Sequence, residues 1–299
     1  MKKIYIPLTV PTGKIKNYIK NYETATLGSG RLFLFAGDQK VEHLNNDFFG
    51  PEISKQDNDP EHLFKIAAAA KIGVFATQLG LIDRYGASYK KVPYLVKLNS
   101  KTNLVDDSKG AISKDLISVA DVVDFKKRTK LNILGIGYTV YIGGKNEAEI
   151  LQEASRAVLD AHKNGLLAVI WMYPRGPKIK NEEDINLIAG GAGVALCLSA
   201  DFVKVKYPYT NQEATAEKFR EVTEAAGRTK VICAGGGRIS PKNLLKNIYY
   251  QIKISKTAGA AIGRNIHQYD LDKAVALANA IAAIVISNKT PEQAEKLLK

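Results

Sequence analysis

From residue 31 onward, short apolar runs alternate with longer amphipathic segments. The apolar runs are rich in β-branched and aromatic residues, which is typical of buried strands. They predict eight strands, at residues 31–37, 73–77, 93–99, 133–140, 166–173, 201–207, 230–236 and 259–263. Apolar residues at helical spacing predict helices between them, at 61–71, near LIDRYG, and at 114–123, 146–164, 182–199, 212–227, 240–257 and 271–287.

Strands that are apolar on both faces and separated by single helices predict a parallel sheet covered on both sides. Eight such units match a closed barrel better than a doubly wound sheet, which usually has fewer strands. We therefore expect an α/β fold, a (β/α)8 TIM barrel with an added N-terminal helical segment. We expect one domain over residues 1–299, with 1–30 as the extension, 31–287 as the barrel and 288–299 as a C-terminal helix.

The 299 residues carry a formal net charge of +13, which suits nucleic acid, a membrane surface or an anionic small substrate. The lysines are scattered and no run interleaves them with aromatic residues, so we expect no nucleic-acid partner. No apolar stretch approaches about 18 residues and no signal peptide is visible, so we expect a cytoplasmic protein with no membrane contact. The cysteines and histidines lack ligand spacing, so we expect no metal and no cofactor.

The run DFVKVKY places two lysines, Lys204 and Lys206, on one face of a predicted buried strand. Burial and a nearby cation disfavour the ammonium form, so such a lysine can present a neutral amine that attacks a carbonyl and forms a Schiff base. The alternative is a lysine that pairs with a neighbouring carboxylate. Two lysines on one face, with polar residues ending other strands, favour the chemical interpretation.

Active groups of a barrel lie at the carboxyl ends of its strands. Asp38 follows the first strand and could accept a proton from a substrate hydroxyl, or could instead cap a turn. Tyr173 ends the fifth strand and could transfer protons, or could pack at the rim. Trp171, the only tryptophan, would by itself more often be a core residue.

Glycine turns end the last two strands, in CAGGGRIS and AIGRNIH. Their backbone N–H groups can approach an anion, and barrels frequently bind phosphate at this place. Arg238 and Arg264 could supply charge, so a phosphate site is favoured over plain turns. Arg175, in YPRG, could bind a second phosphate. The AGGAG run lies mid-helix and does not fit a dinucleotide loop.

Several motifs together resemble one family, the archaeal-type class I fructose-1,6-bisphosphate aldolases, within the Schiff-base aldolase barrels. The resemblance covers about residues 31–283 and rests on GDQKVEH, KLNSKTNL, GYTVYIGG, VIWMYPRG, ADFVKVKY, AGGGR and IGRN. It implies metal-independent cleavage of fructose 1,6-bisphosphate to dihydroxyacetone phosphate and glyceraldehyde 3-phosphate. It also implies a homo-oligomer, since members are often decamers.

The resemblance assigns roles to individual residues. It implies that Lys204 forms the imine, Tyr173 transfers the proton and Trp171 shapes the site. Asp38 would correspond to the family's aspartate. Lys206 lies two residues after Lys204 on the same face, and from this position we expect it to keep Lys204 partly neutral or to contact the substrate. The phosphate of the dihydroxyacetone half would lie against Gly235, Gly236, Gly263 and Arg264. Ala234 replaces a serine that is common in the family.

Three alternatives remain open. The first is a related Schiff-base lyase or transaldolase acting on another sugar phosphate, such as a heptulosonate synthase. The second is a phosphate-binding barrel isomerase that works without an imine. The third is a basic barrel that serves as an RNA-binding scaffold, which would show steep salt dependence of binding.

Overall fold

The computed structural model of the protein describes residues 4–104, 111–208 and 213–298. Eight parallel strands close into a barrel, which confirms the (β/α)8 TIM-barrel fold and all eight predicted strands. They are β1 (Leu32–Ala36), β2 (Val74–Gln78), β3 (Tyr94–Lys97), β6 (Ile133–Ile142), β7 (Leu167–Pro174), β8 (Phe202–Val205), β9 (Lys230–Ala234) and β10 (Gly259–Ile262). Two further short strands, β4 (Asn99–Ser100) and β5 (Lys114–Asp115), pair with each other outside the barrel.

Helices surround the barrel and also form the N-terminal segment. They are α1 (Ile15–Thr26), α2 (Gln39–Glu42), α3 (Glu61–Ala69), α4 (Leu79–Tyr85), α5 (Val119–Thr129), α6 (Glu147–Lys163), α7 (Ile185–Cys197), α8 (Glu213–Lys218), α9 (Arg220–Ala225), α10 (Pro241–Lys253), α11 (Arg264–His267), α12 (Leu271–Val285) and α13 (Pro291–Glu295). Among the residues described, no helix has the length and apolar character needed to cross a membrane.

Two helix predictions are wrong in detail. The helix expected over 114–123 begins only at Val119, because Lys114–Asp115 pairs as a strand and Ser118 caps the helix by accepting a hydrogen bond from the Asp121 N–H. The helix expected over 212–227 is divided into α8 and α9 at Phe219. Phe219 is buried there against Tyr207, with ring centroids 4.7 Å apart. Residue 212 lies outside the described residues.

Side-chain alternation along the strands divides the core into two parts. In β1, Leu34 belongs to the cluster that fills the barrel, whereas Phe33 and Phe35 belong to the cluster between strands and helices. The barrel cluster also contains Tyr18 and Tyr22 of α1. The N-terminal helical segment therefore contributes aromatic rings to the same apolar interior as the strands.

A buried polar network ties the N-terminal segment to the start of β8. Asp201 accepts hydrogen bonds from the Tyr18 hydroxyl and, at 2.7 Å, from the Ala168 N–H. Its carboxylate also lies 3.2 Å from His162 Nε2, and His162 Nδ1 lies 2.7 Å from Thr9 Oγ1. Burial and the Asp201 carboxylate raise the pKa of Tyr18, so this hydroxyl remains a donor.

We expect Asp201→Ala to destabilise the fold by about 3 kcal/mol, because several buried polar groups lose their partner. Urea unfolding followed by circular dichroism measures this loss. Asp160→Ala is the matched control, since Asp160 is exposed and its carboxylate pairs with Lys163 at 3.1 Å. Its expected effect is below about 0.5 kcal/mol. Equal losses in the two variants would contradict a structural role for the buried network.

Candidate active site

A cavity of about 280 Å³ opens at the carboxyl ends of the barrel strands. It is bounded by residues at the ends of β1, β7, β8, β9 and β10 and in the loops that follow them. The lining residues are Ala36, Asp38, Gln39, Glu42, His43, Trp171, Tyr173, Arg175, Lys204, Lys206, Ala234, Gly235, Gly236, Ala261, Gly263 and Arg264. This set contains every predicted site residue except Arg238.

Strand alternation directs Lys204 into the barrel. Phe202, two residues earlier, belongs to the barrel cluster, while Val203 and Val205 pack towards the helices. Lys204 is only 6% exposed. The lysine that sequence analysis selected is therefore buried inside the barrel and lines the cavity.

The surroundings of Lys204 favour a neutral amine. Burial lowers the pKa of Lys204, and the positive charge of Arg264 lowers it further. Asp38 and Glu42 act in the opposite direction, but they do not cancel the effect of burial. A larger fraction of Lys204 is therefore unprotonated at neutral pH than of an ordinary lysine.

Trp171 lies beside this amine because β7 and β8 pair in register at Trp171 and Lys204. The Lys204 Nζ is 5.0 Å from the ring centroid, a distance at which a cation interacts with an aromatic face. Gly137 of β6 leaves room for the indole, since a Cβ at that position would lie 2.5 Å from Trp171 Cζ3. Glycine at position 137 thus helps to set where the indole lies.

Tyr173 follows on the same face of β7, at the mouth of the cavity. Burial raises the pKa of Tyr173 well above its usual value, and the carboxylates of Glu42 and Asp38 raise it further. Glu42 is itself held by the Tyr141 hydroxyl, which donates a hydrogen bond to it at 3.0 Å. Tyr173 is therefore a protonated phenol at neutral pH, which suits a proton donor.

Asp38 occupies the residue before α2, but its side chain makes no capping hydrogen bond. The residue is 7% exposed and lines the cavity. Its backbone carbonyl accepts a hydrogen bond from Gln78 Nε2 at 3.0 Å, which fixes the end of β1. The carboxylate is therefore directed to the cavity, and the capping alternative does not apply.

The two glycine turns lie side by side at the ends of β9 and β10. Asn265 Nδ2 donates to the carbonyls of Gly235 and Gly237, each at 3.0 Å, and so braces one turn against the other. A Cβ on Gly263 would lie 2.7 Å from the Ala36 carbonyl oxygen, so this position requires glycine. The Gly235 N–H donates to Ala261 O at 2.9 Å, so this N–H is already engaged within the barrel.

Arg264 and Arg238 have different surroundings. Arg264 lines the cavity, and its Nη1 lies 3.6 Å from Asp47 Oδ1. Arg238 lies outside the cavity because it donates to the Glu52 carbonyl, with its guanidinium 4.2 Å from the Tyr269 ring centroid. Of the two arginines expected at the phosphate site, only Arg264 therefore lines the cavity.

An ion-pair cluster lies on another side of the mouth. Arg175 Nε is 2.9 Å from Glu182 Oε1, and Lys206 Nζ pairs with Glu182 Oε2. Burial would raise the pKa of Glu182, but hydrogen bonds from Lys206 and Arg175 outweigh it, so the pKa lies below its usual value. Lys206 is thus paired with a carboxylate, as in one alternative of the sequence analysis.

Comparisons with known proteins show the family to which the chain belongs. The model of the DeoC/LacD family aldolases matches residues 32–269. The chain belongs to the DeoC/LacD family of aldolases.

Relatives support the same assignment. The chain is 55% identical over 296 residues to a Methanocaldococcus jannaschii protein named fructose-bisphosphate aldolase/6-deoxy-5-ketofructose 1-phosphate synthase, covering 99% of this chain and 94% of that protein. A solved fructose-bisphosphate aldolase from Slackia heliotrinireducens is 47% identical, with a TM-score of 0.96 over 99% of this chain and 94% of the other. An archaeal fructose-1,6-bisphosphate aldolase, solved with its catalytic lysine bound to the carbinolamine intermediate, is 29% identical, with a TM-score of 0.77 over 90% of this chain and 99% of the other.

The sequence-based resemblance to archaeal-type class I aldolases is thus confirmed, and the protein is a carbon–carbon lyase. Within the described residues of the aldolase, no group of three or more histidine, cysteine, aspartate or glutamate side chains is arranged to hold a metal ion.

A second buried lysine, Lys97, was not selected by the sequence analysis. Its Nζ donates to Asn99 O at 3.0 Å and to Thr139 Oγ1 at 2.5 Å, and lies 5.1 Å from the Trp171 ring centroid. Burial lowers the pKa of Lys97 to about 8, and Lys204 contributes to the shift. A lysine within the apolar run PYLVKLN is the same signal that identified Lys204, and it could have found Lys97.

The charge of Lys204 lowers the pKa of Lys97, and the same repulsion acts on Lys204 while Lys97 is protonated. We therefore expect Lys97→Met to raise the pKa of Lys204. Imine formation requires the free amine, so its rate increases with pH as Lys204 loses its proton. In Lys97→Met this increase should occur at higher pH, by up to about one unit. The rate of borohydride trapping of dihydroxyacetone phosphate, measured as a function of pH, gives the midpoint of this increase, and a thermal melt checks folding.

Lys206→Met provides the comparison, because Glu182 already neutralises this cation. Lys206→Met should shift the midpoint of the pH dependence less than Lys97→Met does. A shift with Lys206→Met but not with Lys97→Met would show that Lys206 is the cation that lowers the pKa of Lys204.

Proposed function

We propose that the enzyme is a class I fructose-bisphosphate aldolase that forms an imine on Lys204. The observation that carries the proposal is the buried Lys204 amine, with its lowered pKa, facing a cavity that Tyr173 and Asp38 also line. Relatives named fructose-bisphosphate aldolase support the substrate. The enzyme would cleave fructose 1,6-bisphosphate reversibly to dihydroxyacetone phosphate and glyceraldehyde 3-phosphate.

In the proposed mechanism, the Lys204 amine attacks the C2 ketone and gives a carbinolamine, which loses water to form an iminium ion. Asp38 accepts the proton of the C4 hydroxyl while the C3–C4 bond breaks. The bonding electrons move into the iminium ion, which becomes an enamine, and the aldehyde half leaves. A proton then returns to C3 from Tyr173, and water hydrolyses the imine to release dihydroxyacetone phosphate.

The proposed substrate orientation follows from the charges around the mouth. Gly236, Gly263 and Arg264 would hold the C1 phosphate, with Gly235 shaping the turn below it. Arg175 and Lys206 would lie beside the C6 phosphate. Trp171 would pack near the imine carbon and restrict its position. Since the C1 phosphate and Lys204 are fixed by neighbouring strands, C2 would lie against the amine.

A second candidate function follows from the dual name of the Methanocaldococcus jannaschii relative. In 6-deoxy-5-ketofructose 1-phosphate, the C1 phosphate is kept, while the acceptor half has a ketone and a methyl group and no phosphate. The same Lys204 enamine could add to an unphosphorylated keto aldehyde. Glu182 favours this candidate, because it already neutralises part of the charge that a C6 phosphate would need.

The cellular setting is also a proposal. We place the enzyme in the cytoplasm, in glycolysis or gluconeogenesis, as a homo-oligomer. Support comes from its cysteines, since Cys197 and Cys233 are both free thiols.

The proposed function predicts that borohydride in the presence of fructose 1,6-bisphosphate yields an irreversible adduct on Lys204. Peptide mass spectrometry across residues 201–207 locates it. Lys204→Arg should form no adduct and lose cleavage activity, whereas Lys206→Arg should still be labelled. Full cleavage activity in Lys204→Arg would contradict an imine on Lys204, and labelling of Lys206 would overturn the assignment of Lys204. If the unaltered enzyme formed no adduct and cleaved no sugar, a barrel isomerase that works without an imine would be favoured.

The second candidate predicts a new six-carbon monophosphate when the enzyme is given fructose 1,6-bisphosphate together with 2-oxopropanal. Mass spectrometry with carbon-13 in the keto aldehyde detects it, and Lys204→Arg is the blank. Cleavage without any labelled sugar phosphate would restrict the enzyme to the aldolase reaction.

A further inference from the structure

Glu182 bridges the two cations at the outer side of the cavity. Arg175 reaches it with Nε at 2.9 Å from Oε1 and Nη2 at 3.4 Å from Oε2, and Lys206 pairs with the same Oε2. Both cations line the substrate cavity. One carboxylate therefore occupies the hydrogen-bonding groups of two side chains that face the substrate.

The charge of this cluster determines what it can bind. Arg175 and Lys206 together carry two positive charges, and Glu182 reduces the net charge to one. Because the pKa of Glu182 lies below its usual value, it remains ionised at neutral pH. A phosphate dianion would need both cations, so it must displace Glu182 or share them with it.

The surroundings allow such a displacement. Arg175 is held independently of Glu182, because its guanidinium lies 5.0 Å from the ring centroid of Tyr141. Glu182 lies in the loop before α7, and its side chain is 29% exposed. The carboxylate can therefore turn towards solvent while the arginine stays at the mouth.

We propose that Glu182 is a specificity-determining residue that competes with the second phosphate of the substrate for Arg175 and Lys206. The inference rests on the proposed aldolase function and deepens it. Competition weakens binding of a sugar with phosphates at both ends, and has less effect on a sugar phosphorylated only at C1. Glu182 therefore reduces the difference in KM between sugars with phosphates at both ends and sugars phosphorylated only at C1.

The test measures KM for cleavage of fructose 1,6-bisphosphate and of fructose 1-phosphate in Glu182→Gln. The amide keeps the shape of the side chain but removes its charge. The KM ratio of fructose 1-phosphate to the bisphosphate should rise about three- to tenfold, mainly through a lower KM for the bisphosphate, as expected for a partly exposed charge interaction.

Glu183→Gln is the matched control. Glu183 is exposed, and it carries the same charge one residue away. This variant should leave the ratio within about twofold of the unaltered enzyme. A similar change in both variants would show a general charge effect and overturn the proposal.

Two other outcomes would also overturn it. A higher KM for the bisphosphate in Glu182→Gln would show that Glu182 orients the cations for phosphate instead of competing with it. An unchanged ratio would show that the cations do not meet a second phosphate. If the unaltered enzyme cleaved neither sugar, the proposed function itself would fail, and this inference with it.

Discussion

The burial of the Lys204 amine inside the barrel is the constraint on which the rest of the site depends. An ammonium group loses hydration when it is surrounded by apolar side chains, so burial shifts its equilibrium towards the neutral amine. Each unit of pKa shift corresponds to about 1.4 kcal/mol of such destabilisation. The fold must supply that energy elsewhere, and the apolar barrel interior and the helices packed around it are the source.

Contacts at the two ends of β8 hold the strand that carries Lys204. At the amino end, Asp201 is fixed by hydrogen bonds from Tyr18 and Ala168. At the carboxyl end, Lys204 pairs in register with Trp171. The backbone on both sides of Lys204 is therefore held in place below the cavity. A stabilising network and a reactive group are thus three residues apart along the chain.

Two neighbouring groups of charges lie around the cavity, and Glu42 acts on a member of each, Lys204 and Arg175. Near the base, Asp38 and Glu42 partly offset the effect of burial on Lys204. At the outer side, Glu182 moderates the charge of Arg175 and Lys206. In our account, the first group sets the reactivity of the imine-forming amine, and the second sets which aldehyde half the enzyme accepts.

Much of this was visible in the sequence because it depends on local pattern. Strand alternation in DFVKVKY put Lys204 and Lys206 on one face, and polar residues at the ends of other strands favoured a reactive lysine there. The glycine turns were found from their position after strands. Partners distant in sequence were not predictable in this way. Lys206 pairs with Glu182, which lies 24 positions earlier in the sequence. Arg238 donates to the Glu52 carbonyl, which lies 186 positions earlier. Lys97 was missed for a different reason, since its pattern was present but no second lysine lies two residues away on the same strand face.

The central claim is that Lys204 attacks a carbonyl whose position is fixed by the turns after β9 and β10. A crystal structure of the enzyme reduced with borohydride in dihydroxyacetone phosphate tests it most directly. We predict a covalent bond from Lys204 Nζ to C2, with the phosphate against Gly263 and Arg264 and the Tyr173 hydroxyl facing the substrate carbons. A bond from Lys97 or Lys206, or a phosphate seated on Arg175 instead, would contradict the account.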